Sequence, residues 1–78
     1  MPMTHFELNE LIVKRAAQAQ EKKRELDRMT PAKRRKAHGG VQKMIAAVEV
    51  AGTIFGENVP LIDRENRIKA LFLTAFFS

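Results

Sequence analysis

Lys33, Arg34, Arg35 and Lys36 stand side by side in TPAKRRKAHGG, residues 30–40, between a helix-start signal and a pair of glycines. Cationic side chains on adjacent helical turns neutralise phosphates and release the counterions condensed around nucleic acid. Lys22, Lys23, Arg24 and Arg28 precede them, so residues 14–36 hold ten cations against three acids, a local balance of +7. Residues 1–13 sum to −2 and residues 37–78 to zero, which makes the charge a single block. Ordinary solvated helix faces alternate their charges, as Glu10 with Lys14 and Glu65 with Lys69 do at i, i+4. Lys33 to Lys36 have no acid within a turn. The expectation is a surface for an acidic partner, nucleic acid first, that contacts phosphate and reads bases little. Its residues are Lys22, Lys23, Arg24, Arg28, Lys33, Arg34, Arg35 and Lys36.

Other chemistries lack their parts. There is no cysteine, and the two histidines, His5 and His38, are far apart with no second ligand at i+3 or i+4, so neither a disulfide scaffold nor a metal site is expected. His5 reads as a first-turn surface residue and His38 as a cation at a helix end. The only serine is Ser78, and each carboxylate is explicable as a helix-start charge or a pair member, which leaves no catalytic residue to nominate. Glu49 stands out because Val48 and Val50 flank it on the most apolar segment; buried, it would need a partner such as Lys43 or an arginine from another helix, but the commoner case, and the one expected, is that it faces the one wet strip of its helix. Gly39-Gly40 lacks the strand-turn-helix setting of a phosphate loop. A helix-turn-helix alignment with Gly39 in the turn fails because AKRRKAH has no apolar positions to pack a recognition helix. Five phenylalanines with no Tyr or Trp omit the base-stacking rings common in single-strand binders. No cofactor is implied, and the expected role is non-catalytic.

These residues sit on an expected all-α domain of three to four helices with a long N-terminal one, a single unit over residues 1–78. Thr4 with Glu7 is a capping box, and Met3 with Leu8 a hydrophobic staple, so helix one is expected over 4–28, with a solvated distal arm because its second half offers few apolar residues. Thr30-Pro31 starts a short basic helix over 30–38. Glycine costs about 1 kcal/mol relative to alanine inside a helix, so Gly39-Gly40 is expected to break or kink the chain before a central apolar helix over 41–56. An amphipathic helix follows over 62–77, with Asp63 as its N-cap. The core is expected from Leu8 to Val13, Val41 to Phe55 and Ile68 to Phe76. KKRELDRMTPAKRRK, whose basic clusters are Lys22 to Arg24 and Lys33 to Lys36, resembles a bipartite nuclear-import signal.

A chain of 78 residues buries only about 60% of its unfolded surface. No secretory leader is expected, because Glu7 and Glu10 interrupt the N-terminal apolar run, and the apolar run ALFLTAFFS is far short of the ~20 residues of a bilayer span. The expected location is the cytoplasm. Apolar residues beyond those one small core can hold point to a homodimeric helical bundle with Phe72, Leu73, Phe76 and Phe77 at or near the interface. The rival function is a small adaptor or inhibitor of the phage or plasmid type, docking on a host protein complex through an apolar helix face.

Overall fold

In the computed structural model, which describes residues 2–77, Thr4 opens the first helix as a complete capping box. The Thr4 hydroxyl accepts the Glu7 N–H and the Glu7 carboxylate accepts the Thr4 N–H, both at 3.1 Å. Helix α1 (His5–Asp27) runs on for 23 residues. The Thr4 backbone N–H, then its hydroxyl, holds the Glu7 carboxyl below its ordinary pKa of 4.5. A lowered carboxylate pKa adds stability that is complete above the ordinary value and is lost as pH falls through the lowered one. Separately, Thr4→Ala should cost about 1 kcal/mol near neutral pH, because the Glu7 N–H loses its hydroxyl acceptor. Thermal unfolding checks it: acidification through the lowered pKa should destabilise parent and mutant alike, because both keep the residue-4 backbone N–H that holds the Glu7 carboxylate, and equal melting temperatures at pH 7 would contradict the cap.

Helix α2 (Pro31–Phe55) is one continuous helix of 25 residues, the longest in the chain. The break expected at Gly39-Gly40, which divided 30–38 from 41–56, does not occur. Two glycine penalties are outweighed because α1 lies alongside α2 and buries Ala19, Leu26 and Val41 at their interface, packing that an interrupted helix would lose. His38 is thus an exposed mid-helix residue and not a helix-end cation. The distal half of α1 is likewise half of a two-helix hairpin and not a lone solvated arm.

Helix α3 (Leu61–Phe77) starts two residues before Asp63. The Pro60 carbonyl accepts the Asp63 and Arg64 N–H groups at 3.1 and 3.2 Å, so Asp63 occupies the first turn, where its charge suits the helix dipole, and is not the cap. Leu8, Ala47, Ala51, Ile54, Ile68 and Phe72 form the core where all three helices meet. Met3 packs against it, placing the residue before the cap against the core that holds Leu8. Val13 is exposed, contrary to expectation, because it lies off the Leu8–Ile12 line that faces α2. Val50 and Leu73 are also outside the core.

The described residues extend 44 × 21 × 17 Å, and the long dimension has a cause. Helix α3 folds back along the C-terminal half of α2 only, where Phe76 and Phe77 line the same depression as Met44. Lys22 and Glu25 border that depression, and beyond it α1 and α2 continue as a pair to the turn at residues 28–30, so that residues 22–36 form the end of the hairpin. No helix among the described residues is long and apolar enough to cross a membrane.

Candidate acidic-partner interface at the hairpin tip

Each of the eight basic residues singled out in the sequence is exposed, and the fold brings both clusters together around the turn between α1 and α2. Their surroundings divide them. Lys22 Nζ lies 3.4 Å from the Glu25 carboxylate and Arg24 Nη1 lies 3.2 Å from that of Glu21, so each is paired with an acid one turn away. Exposed pairs of this kind contribute at most a few tenths of a kcal/mol to about 1 kcal/mol. They do neutralise their cations. Lys23, Arg28, Lys33, Arg35 and Lys36 have no acid partner among the described residues.

Arg34 is committed inside the fold. Its Nε donates to the Leu26 carbonyl at 3.0 Å and its Nη2 to the Met29 carbonyl at 3.2 Å. The reason is its place on α2: Arg34, Ala37, Val41 and Met44 share the face turned to α1, so the guanidinium lies over the end of α1. There it adds a donor to the Leu26 carbonyl, which also accepts the Met29 N–H at 3.1 Å, and reaches the Met29 carbonyl beyond it. The other connection repeats the device. Arg64 occupies the same fourth position of α3 and donates from Nη1 to the Phe55 carbonyl at the end of α2, at 2.8 Å. Arginine at the fourth helical position after a proline-marked start is thus a fastener of both turns, a use invisible in residue type alone.

Lys33, Arg35 and Lys36 are in the first turns of α2, which carries no acid in its first turn. Cations at a helix N-terminus oppose the positive end of the dipole, at about 0.3–1 kcal/mol each when exposed. The tip therefore concentrates positive charge in a place that folding alone disfavours.

Glu49 is exposed, on the wet strip of its helix, and the buried carboxylate is Glu65, 5% exposed at the base of α3. It accepts the Met3 N–H and faces Lys69 Nζ at 3.5 Å, so the apparent surface pair of the sequence ties the N-terminal segment to α3. His5 packs its ring 4.4 Å from that of Phe55. Among the described residues no three His, Cys, Asp or Glu side chains gather as a metal would require.

The phenylalanines also divide. Phe72 is 2% exposed and belongs to the core, so it is not available to an interface in the folded chain. Phe76 is half-buried, edge-on to Phe72 at 5.6 Å. Leu73 and Phe77 are 65% and 62% exposed, with the Arg15 guanidinium 4.6 Å from the Phe77 ring centre. Phe6 and Val13 are exposed on α1, and an open groove of about 730 Å³ runs between α2 and α3, with Val50 and Ala70 on its walls.

Protein-family models, curated proteins and solved structures yield no match to the chain. Its function rests on the geometry alone.

Proposed function

We propose that the chain is a non-catalytic binding protein whose hairpin tip engages nucleic acid through phosphate contacts. The observation that carries this reading is the group Lys23, Arg28, Lys33, Arg35 and Lys36, exposed, without acid partners among the described residues, and partly at the positive end of a helix. A row of phosphates supplies the missing counter-charge, and helix N-termini favour anions. Lys22 and Arg24 serve as secondary contacts once their acids yield them, and Arg34 holds the tip in shape. Gel shifts of the whole protein at low salt with duplex and single-stranded oligonucleotides test the reading. Retardation of either supports it; no retardation of either overturns it.

The adaptor or inhibitor reading retains one observation in its favour, the exposed apolar residues Phe6, Val13, Leu73 and Phe77. For the α3 part of this surface we propose a second copy of the chain. Two antiparallel α3 helices related by a two-fold axis set Ile62 opposite Phe77 and Asn66 opposite Leu73, with Ala70 near the axis where backbones approach, and each pairing recurs by symmetry. Phe72 is spent internally and Phe76 borders the contact. Sedimentation equilibrium at micromolar concentration should give about twice 8.9 kDa, and Phe77→Asp should return it to the monomer mass. A parent chain at 8.9 kDa would overturn the dimer.

A further inference from the structure

Lys33, Lys36, Gly40, Lys43, Ala47 and Ile54 recur at helical spacing along one stripe of α2. The stripe has two halves. Ala47 and Ile54 lie buried beneath α3, Lys43 is exposed at the edge of the groove it shares with Thr74 and Ala75 of α3, and Lys33, Lys36 and Gly40 lie exposed past the end of that helix. The open half continues the seat of α3 for about 15 Å, with Gly39 at its edge.

Among the described residues nothing accounts for the two glycines here. No backbone among the described residues has positive φ, and a Cβ built on Gly39 or Gly40 meets no atom within 4 Å. Both are exposed. Alanine would fit either position and favour the helix. We propose that the backbone of a bound nucleic acid lies along this open half, crossing the bare stretch at Gly39-Gly40 while Lys33, Lys36 and Lys43 take its phosphates. Charge selects the occupant. The three lysines have no acid partner among the described residues, and neither Gly39 nor Gly40 places a side chain between the helix backbone and the phosphates.

The inference rests on the phosphate-binding reading above, and one experiment separates the two. Gly40→Ala, Gly40→Gln and Lys36→Ala are made in the full chain, and each is measured for melting temperature and for affinity to a fluorescein-labelled duplex at fixed salt. The glycine variants should melt several degrees higher, about 4–8 °C, yet bind more weakly, with Gly40→Gln losing at least about tenfold. Lys36→Ala should weaken binding by about eightfold at 0.1 M salt. If Lys36→Ala weakens binding while the glycine variants bind as the parent does, close approach at Gly40 is overturned and the phosphate reading stands. If none of the three alters affinity, both are overturned. Glycine variants that melt lower than the parent would show that the fold itself needs the glycine, which also overturns the proposal. Binding of polyglutamate in preference to the duplex would assign the stripe to an acidic protein instead.

Discussion

Replacing Lys33, Arg35 and Lys36 together by alanine is expected to lower duplex affinity by on the order of a few hundredfold at 0.1 M salt, because counterion release makes each phosphate contact worth about eightfold there. Melting temperature should hold or rise, since these cations oppose the dipole of α2 and touch no core residue. The paired residues supply the contrast. A Lys22→Ala and Arg24→Ala double variant should lose far less affinity, because Glu25 and Glu21 already neutralise those charges. Arg34→Ala should act mainly on stability by releasing the Leu26 and Met29 carbonyls. Fluorescence anisotropy and thermal unfolding of the three variants separate these outcomes. An affinity loss that follows Lys22 and Arg24 in place of Lys33, Arg35 and Lys36 would move the site to α1.

Phe72→Ala is expected to cost about 3–5 kcal/mol, the range for emptying a buried phenylalanine site. The whole domain has about 4–12 kcal/mol to lose, at 0.05–0.15 kcal/mol per residue, so this substitution leaves little cooperative structure in moderate urea. Leu73→Ala, one residue on but exposed, should stay within about 0.5 kcal/mol of the parent. Urea unfolding followed by circular dichroism reads both. Equal midpoints for the two variants would contradict the position assigned to Phe72. Any loss of dimer in the Phe72 variant is therefore a consequence of unfolding, whereas in Phe77→Asp it reports the interface.

Helix starts were legible wherever one local signal stood alone. Thr4 with Glu7 and Thr30 with Pro31 mark their helices correctly because capping is decided within four residues. NVPLID contains two competing starts, and Pro60 prevails over Asp63. The glycine pair misleads for a different reason: its penalty is local, but the burial of Ala19 and Leu26 on α1 and of Val41 on α2 that overrides it needs a neighbouring helix. The candidate site was legible as composition and illegible as geometry. Nothing in KRRK distinguishes Arg34 from Arg35; the distinction appears only when α1 ends beneath one of them. Glu65 was hidden in the same way, since its i, i+4 lysine gives a surface signature while the Met3 backbone closes over it. The exposure of Gly40, by contrast, follows from where α3 stops, which no local pattern in α2 encodes.

The most direct measurement of the central claim is the salt dependence of duplex binding by the parent and by the Lys33, Arg35 and Lys36 triple variant. Log affinity should fall linearly with log salt at about −0.9 per phosphate contacted, so the five unpaired cations of the tip predict a parent slope near −4 to −5, about −5.4 with Lys43 added, and the triple variant should be shallower by about 2.7. A parent whose affinity is flat across the salt series, or a triple variant with the parent's slope, would contradict phosphate recognition by the hairpin tip.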